Sequence, residues 1–252
     1  MTRASRRREA EGGEESAKVA TPKHDRSLLS RLWYDLVRQL AFVAFTIGGG
    51  LRAGGRNNIP MSGGCLLVSN HFSYLDVFAL GIPAKRPLNY VARSTLFFPP
   101  LGALIRSVGG FPIQREGMGA SGLKETLRRL RNGGVVILFP EGTRSPDGRL
   151  QELKSGIAVL AVRGRVPILP AGVAGTFEAW PRNRKLPHPH PVRVEFGPPI
   201  RPEELIGLKN DEITSLIHER IDRCHREALR GLARDLGTES QETAFEPVFK
   251  AH

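Results

Sequence analysis

The stretch Cys65-Leu-Leu-Val-Ser-Asn-His-Phe-Ser-Tyr-Leu-Asp76 decides how this chain is interpreted. It begins with an apolar run, Cys65 to Val68, that predicts a short buried strand, and it continues into polar side chains. Histidine is the one residue type in this stretch that ordinarily exchanges a proton near neutral pH, so His71 is a candidate to accept a proton. Asp76, five positions later, is a candidate to hold and orient the imidazole.

The same residues also fit a purely structural interpretation. Ser73 and Asp76 match the S-x-x-D pattern of a helix N-terminus, with Ser73 as the cap and His71 as an ordinary loop residue. On one continuous helix, residues five apart point about 140° away from each other, which prevents a hydrogen bond. A working pair therefore requires His71 on the loop before the helix and Asp76 in its first turns.

The charge balance predicts an anionic partner. The 252-residue chain has a net charge of +12 and a pI near 10.5. Aromatic residues make up only 7%, and no basic stretch is interleaved with aromatics that could stack bases, so we expect no nucleic-acid partner. Cys65 and Cys224 stand alone, so we expect no metal site and no disulfide framework.

The N-terminal fifth of the chain predicts two segments. Residues 1–25 lack periodicity and are expected to be disordered, with Arg6-Arg7-Arg8 able to attract anionic lipid headgroups. Residues 26–54 have apolar residues at helical spacing. The uncharged run within them, from Gln39 to Leu51, is too short to span a bilayer. This helical segment either lies in the membrane interface or packs on the domain.

Residues 55–234 alternate between strand and helix patterns, and residues 235–252 form a polar tail. The strands are predicted at 65–69, 88–92, 111–114, 135–139, 167–173 and 192–196. The helices are predicted at about 74–82, 97–107, 119–132, 155–163 and 211–234. The alternation predicts one α/β domain with a mixed, largely parallel sheet flanked by helices.

A second polar constellation follows the apolar strand that ends at Phe139. Loops that leave sheet strands are where α/β folds place their ligands. Here Gly142 allows close backbone approach, Thr143 offers a hydroxyl, and Arg144 offers a fork for phosphate. Lys154, just before the next helix, adds a cation. The alternative is a surface turn with an Arg–Glu pair, in which Glu141 is the acidic partner.

Two further stretches complete the pattern. Arg115 follows a glycine pair and a short strand, as a further candidate cation. Val166-Pro-Ile-Leu-Pro170 is an apolar strand with two prolines, Pro167 and Pro170. Because proline cannot donate a ladder hydrogen bond, this stretch predicts an edge strand or a bulge rather than a central strand.

Four of these stretches together resemble a known family. Asn70-His71-x4-Asp76, Gly110-x4-Arg115, Phe139-Pro-Glu-Gly-Thr-Arg-Ser145 and Val166-Pro-Ile-Leu-Pro170 follow the order and approximate spacing of four blocks in the glycerolipid acyltransferases. Over about residues 55–200, the chain is identified as a member of the 1-acylglycerol-3-phosphate (lysophosphatidic acid) acyltransferase family. It departs from the family pattern at Arg93, where a lysine is frequent, and at Gln114.

The resemblance implies a reaction and its participants. A fatty acyl group would move from acyl-CoA or acyl carrier protein to the sn-2 hydroxyl of lysophosphatidic acid, at the cytoplasmic face of the cell membrane and without a cofactor. His71 would act as the general base and Asp76 would orient it. The acceptor phosphate would be held by Arg115, Arg144 and Lys154. The pocket around it would be shaped by Glu141 and Gly142.

Two other functions stay open at this point. The enzyme could use another lyso-lipid as acceptor, such as a lyso-ornithine lipid or lysophosphatidylethanolamine. The chain could also be a basic peripheral lipid-binding module without turnover, which would need no base and no residue to orient it.

Overall fold

The computed structural model describes residues 27–113 and 119–238. Three predictions lie outside these residues. They are the disordered tail at 1–25 with its arginine run, the role of Arg115, and most of the polar tail at 235–252.

Strands and helices alternate along the described residues. The strands are β1 Leu51–Gly54, β2 Cys65–Ser69, β3 Leu88–Arg93, β4 Gly110–Ile113, β5 Val135–Leu138, β6 Ile168–Ala174 and β7 Val192–Phe196. The helices are α1 Leu28–Ile47, α2 Asp76–Gly81, α3 Leu101–Ser107, α4 Gly119–Arg131, α5 Gly156–Gly164, α6 Thr176–Ala179 and α7 Asn210–Leu236.

The strands form one sheet in the order β1-β7-β6-β2-β5-β3-β4. Neighbouring strands run parallel except for the antiparallel pair of β6 and β7. The predicted mixed, largely parallel sheet is therefore confirmed. β2 and β5 pair in register from Cys65 opposite Val135 to Val68 opposite Leu138. Their carboxyl ends therefore meet, and the loops that follow them lie side by side.

Both faces of the sheet are covered, which explains the uninterrupted apolar run of β2. Leu66 and Val68 pack on one side with residues of α4, α5 and α7. Cys65 and Leu67 pack on the other side with residues of α1 and α2. Because successive side chains of a strand point to opposite faces, a strand buried on both faces needs apolar residues at every position.

The stretch with the two prolines was predicted to be an edge strand or a bulge. The edge strand was wrong, whereas the register shifts by one residue between Ala171 opposite Phe196 and Ile168 opposite Ile200, as it does at a bulge. β6 is an interior strand that pairs with both β2 and β7. Pro167 precedes the first strand residue. Ile168, the first residue of β6, donates to Ile200 on the β7 side. Because alternate residues of a strand point the same way, the nitrogen of Pro170 faces the β7 side too. The regular pairing there starts only with Ala171 opposite Phe196, so the missing N–H falls at an interruption of the ladder.

The segment predicted as helical from residue 26 to residue 54 contains a strand. The helix ends at Ile47, two left-handed glycines follow, and Leu51 to Gly54 join the sheet beside β7. The lone four-residue pattern was too short to be recognised as a strand. Its pairing with β7 is a long-range contact.

α1 packs on the domain along a narrow face. Tyr34 and Phe45 are buried, Trp33 Nε1 donates to Ser107 Oγ over 2.8 Å, and Arg38 donates to the Ala84 carbonyl over 3.1 Å. Nine large apolar residues of α1 are exposed: Leu28, Leu29, Leu32, Trp33, Leu36, Leu40, Phe42, Val43 and Ile47. Within the described ranges, no helix combines the length and hydropathy needed to cross a bilayer.

Candidate active site

His71 and Asp76 are in direct contact at the carboxyl end of β2. His71 lies on the loop after the strand, and Asp76 is the first residue of α2, as the helix geometry required. The distance between His71 Nδ1 and Asp76 Oδ2 is 2.9 Å. Because a carboxylate only accepts, we assign the Nδ1–H tautomer, in which Nδ1 donates and Nε2 keeps its lone pair. Nε2 is therefore the atom that can accept a proton.

The Asp76 carboxylate is rigidly placed. Besides His71, its Oδ2 accepts the backbone N–H groups of Phe72 at 2.7 Å and Ser73 at 2.8 Å. The side chain is fully buried, and Oδ1 has no hydrogen-bond partner among the described residues. The loop thus wraps its backbone around the same oxygen that holds the imidazole.

The expected capping pattern is present only in part. Asp76 does accept from the Ser73 N–H, but the helix starts at Asp76 with Leu75 as its cap residue, two residues later than expected for a Ser73 cap. The Ser73 hydroxyl accepts from Leu75 N and donates to the Trp180 carbonyl at 2.9 Å. Ser73 therefore joins the β2 loop to the chain after β6.

The loop after β5 holds the backbone of His71 from the other side. His71 N–H donates to Glu141 Oε1 over 2.7 Å, and Ser145 N–H donates to the His71 carbonyl over 2.8 Å. The imidazole also stacks on the Phe139 ring, with 4.0 Å between centroids and 15° between planes. Side chain and backbone of the histidine are both fixed, and only part of its ring edge reaches solvent.

Glu141 is a buried positioning residue. Its second oxygen accepts the Gln151 N–H at 3.1 Å, so both oxygens are occupied by backbone donors. Burial raises the pKa of this carboxyl to about 7, against the lowering by those two hydrogen bonds. The alternative of a surface turn with an Arg–Glu pair does not match this arrangement.

Asn70 closes the end of β2 onto β6. Its Nδ2 donates to the Val173 carbonyl at 2.9 Å and its Oδ1 accepts the Val173 N–H at 2.8 Å. The amide thus continues the ladder between the two strands after β2 has turned away. Pro170 lies opposite Val68 in the same strand pair, so the fourth block supports the site from within the sheet.

Two of the predicted cations, Arg144 and Lys154, lie on the loop that follows β5, and Arg115 lies outside the described residues. The Arg144 guanidinium carbon stands 3.7 Å from the centroid of the Tyr74 ring, and burial lowers the pKa of Arg144. Arg93, at the end of β3, donates to the Thr143 hydroxyl at 3.4 Å. Arg144, Thr143 and Arg93 therefore come from loops that adjoin the histidine.

Gly142 and Lys154 lie against each other. Gly142 has φ of +75°, and a Cβ added there would stand 2.6 Å from the Cε of Lys154. Lys154 N–H donates to the Pro140 carbonyl at 2.9 Å, which folds the loop back on itself. The exposed Lys154 side chain is therefore held against Gly142.

Sequence reasoning missed Tyr74, Trp180 and Arg182. Trp180 packs edge-on to Tyr74 with 5.6 Å between centroids, and the charge of Arg182 lowers the pKa of Arg144. The available signal was the Trp180-Pro-Arg-Asn-Arg-Lys185 stretch directly after β6, at the same sheet edge as the other loops.

Comparisons with known proteins agree with this architecture. A family model described as Acyltransferase matches residues 50–174. The 1-acyl-sn-glycerol-3-phosphate acyltransferase of Limnanthes alba is 31% identical over 158 residues, which are 61% of this chain and 56% of that protein. The protein of the same description from Bacillus subtilis is 26% identical over 185 residues, covering 71% and 90%.

A solved structure shows the same fold. The crystal structure of the 1-acyl-sn-glycerophosphate (LPA) acyltransferase PlsC from Thermotoga maritima superposes with a TM-score of 0.70 at 28% identity. The match covers 81% of this chain and 83% of that one. The chain spans just over half the length of the plant relative. On the matching family model, the shared sheet and the four motif blocks, the chain belongs to the 1-acylglycerol-3-phosphate acyltransferase family of glycerolipid acyltransferases.

Proposed function

We propose that the protein transfers a fatty acyl group from acyl-CoA or acyl carrier protein to the sn-2 hydroxyl of lysophosphatidic acid, giving phosphatidic acid. The observation that carries the proposal is the His71–Asp76 contact, which leaves Nε2 of a fixed imidazole able to accept a proton. Arg144 lies at the same edge of the sheet, where it can hold an anionic acceptor.

In the proposed reaction His71 acts as general base. Nε2 takes the proton of the acceptor hydroxyl as its oxygen bonds to the thioester carbonyl carbon. The C–S bond then breaks, and the proton on the imidazolium passes to the departing thiolate. Asp76 stabilises the imidazolium through Nδ1. A positioned base of this kind contributes about 10²–10⁴-fold to rate.

The transfer is direct in this proposal and needs no cofactor. The hydroxyl of Ser73, two residues after His71, already donates to the Trp180 carbonyl, which supports a structural role for it. The acceptor's own hydroxyl takes the place that a serine would have in a Ser-His-Asp triad.

The acceptor's phosphate would be held by Arg144, with Thr143 and Lys154 from the same loop region. The Arg144 guanidinium uses its face on Tyr74, so the N–H groups at its edge are available for bidentate contact with phosphate. The contribution of Arg115 stays a prediction. For Glu141, both oxygens bind backbone N–H groups, so we propose that it orders the His71 loop rather than contacts the substrate.

We further propose that the protein binds the cytoplasmic face of the membrane peripherally through α1. Nine large apolar side chains of this helix are exposed, which suits burial among lipid headgroups and acyl chains. The net charge of +12 favours anionic lipids. Vesicle flotation tests this: Leu32→Glu together with Leu40→Glu should abolish flotation, whereas unchanged flotation would rule out α1 as the anchor.

The test of the activity is an acyl-transfer assay with the full chain in uncharged detergent micelles. Oleoyl-CoA or oleoyl-carrier protein is the donor, and a panel of lyso-lipids supplies the acceptors. His71→Ala should lower kcat at least about 10²-fold. The matched control, His218→Ala, replaces a histidine of α7 and should retain wild-type activity.

Each outcome has a distinct meaning. Wild-type transfer to lysophosphatidic acid that disappears in His71→Ala supports the proposal. Transfer only to another lyso-lipid would correct the acceptor. Binding of lysophosphatidic acid without transfer to any acceptor would indicate a lipid-binding module instead.

A further inference from the structure

The chain that follows β6 is fixed beside the reacting pair. Ser73 Oγ donates to the Trp180 carbonyl at 2.9 Å, and Trp180 Nε1 donates to the Arg184 carbonyl at 3.1 Å. His188 N–H returns to the Ala179 carbonyl at 2.9 Å, which closes the segment from 180 to 188 into a loop. Its position relative to His71 is therefore set by hydrogen bonds at both ends.

An aromatic pair connects this loop to Arg144. Trp180 packs edge-on against Tyr74, and Tyr74, which is 45% exposed, carries the Arg144 guanidinium on its face. A guanidinium stacked by its face points its N–H groups sideways. Arg144 and Trp180 thus contact the same tyrosine ring, which brings the 180–188 loop next to Arg144.

Three guanidinium groups lie in this part of the molecule. Arg93 contacts Thr143, the residue before Arg144, and Arg182 lies two residues after Trp180. The positive charges of Arg182 and Arg93 each lower the pKa of Arg144, behind the larger effect of burial, while the charges of Tyr74 and Asp76 raise it. Among residues 27–113 and 119–238, no Asp or Glu forms an ion pair with any of the three.

From this arrangement we infer that Arg182 is a specificity residue, which together with Arg144 and Arg93 selects acceptors carrying a phosphate monoester over those carrying a phosphodiester. This inference rests on the proposed acyl transfer. A phosphate monoester has a charge of about −1.5 to −2 at pH 7, whereas a phosphodiester has −1. Three cations without acidic partners therefore attract the monoester more strongly.

The experiment compares two acceptors that share an acyl chain, lysophosphatidic acid and lysophosphatidylglycerol, in uncharged micelles at low salt. Arg182 is exposed, so its removal should have the modest effect of a surface charge. Arg182→Ala should raise KM about fivefold for lysophosphatidic acid and about twofold for lysophosphatidylglycerol. Arg182→Glu should roughly square both factors, to about 25-fold for lysophosphatidic acid and about fourfold for lysophosphatidylglycerol.

Arg184→Ala is the matched control. It removes the same charge from the same loop, and Trp180 contacts only the backbone carbonyl of Arg184. Arg184→Ala should leave the ratio of the KM for lysophosphatidylglycerol to the KM for lysophosphatidic acid at its wild-type value. Thermal unfolding of each variant checks that the loop has not collapsed, and the Arg182 effects should shrink at 0.5 M salt because exposed charges are screened.

The possible results separate the inference from the proposed function. The inference is supported if the KM for lysophosphatidylglycerol divided by the KM for lysophosphatidic acid falls in Arg182→Ala and Arg182→Glu but not in Arg184→Ala. Equal changes for both acceptors, or no change, would overturn it while leaving acyl transfer intact. A wild-type protein that transfers to neither acceptor would overturn the proposed function as well.

Discussion

The oxygen Oδ2 of Asp76 accepts three hydrogen bonds, which makes Asp76→Asn an informative substitution. An asparagine could place either its oxygen or its NH2 group at this position. The NH2 orientation would face the N–H groups of Phe72 and Ser73 at 2.7 and 2.8 Å, donor against donor. The amide oxygen should therefore take the place of Oδ2, so that His71 keeps the Nδ1–H tautomer.

The expected magnitude follows from what the substitution then removes. A hydrogen bond to a charged group contributes about 1.5–3 kcal/mol, against about 0.5–1.5 kcal/mol for a neutral one. The lost stabilisation of the imidazolium is thus about 1–2 kcal/mol, which lowers kcat about 5- to 30-fold. The NH2 group would occupy the position of Oδ1, which has no partner among the described residues, and should lower the free energy of unfolding by about 1–3 kcal/mol.

The assay measures kcat with saturating lysophosphatidic acid and oleoyl-CoA for wild type, Asp76→Asn and His71→Ala, with urea unfolding in parallel. Asp76→Ala is the comparison variant, because it leaves two backbone N–H groups unpaired and should lose more stability than Asp76→Asn. A loss of about 10⁴-fold in Asp76→Asn would match a triad whose histidine is forced into the wrong tautomer. That result would refute the amide orientation argued here.

Three further substitutions test the packing and the electrostatics around the site. Gly172→Ala should lower the free energy of unfolding by about 3 kcal/mol, because its Cβ would overlap the backbone of α7 at Cys224 and His225; urea unfolding measures this, and Gly156→Ala, which meets open space, should change it by less than about 1 kcal/mol. The Glu141 carboxyl has a folded pKa of about 7 against a usual 4.5, so the folded state holds an extra proton between these values and the free energy of unfolding falls by about 3 kcal/mol as pH rises through this window. Burial lowers the pKa of His225 from 6.5 to about 4. The contribution of this residue to the free energy of unfolding therefore rises by a similar amount as pH increases between those values. In wild type these two effects on the free energy of unfolding should nearly cancel between pH 4.5 and 6.5, whereas Glu141→Gln should show the rise from His225 alone. If the free energy of unfolding has the same pH dependence in both proteins, the raised pKa of Glu141 is contradicted. Arg144→Ala should raise KM for the lyso-lipid at least about tenfold, with a smaller change for acyl-CoA, because a guanidinium–phosphate contact is charge-assisted; the opposite pattern would place the phosphate elsewhere.

Much of the fold could be predicted from local patterns. β2, β5 and β7 are apolar runs or alternations with clear ends, and their strand predictions agree with the structure to within one residue. The long periodic helices α4, α5 and α7 were found for the same reason, since their side chains repeat with the helical period. The short strand β1 and the four-residue helix α6 carry too few residues to show a period, so their existence depends on the partners they pack against.

The position of β6 shows where local reasoning failed. A proline is incompatible with a central strand only if its nitrogen faces a paired neighbour, and that depends on where the adjacent ladder is interrupted. The interruption lies between Phe196 and Ile200, about thirty residues further along the chain. Only the pairing in three dimensions could decide it.

The sequence by itself determined the pairing of His71 with Asp76. Asn70-His71-x4-Asp76 follows a strand, and the angle between residues on a helix already required the histidine on the loop and the aspartate at the start of the helix. Those are constraints within six residues, which backbone geometry imposes locally.

The tertiary structure alone decided what surrounds that pair. Glu141 holds the His71 backbone across 70 residues of sequence, and Ser73 joins the Trp180 loop across 107. No local period encodes such contacts, because they arise where the ends of parallel strands β2, β5 and β6 converge at one edge of the sheet. The role of Glu141 and the presence of Arg182 beside Arg144 follow from that convergence.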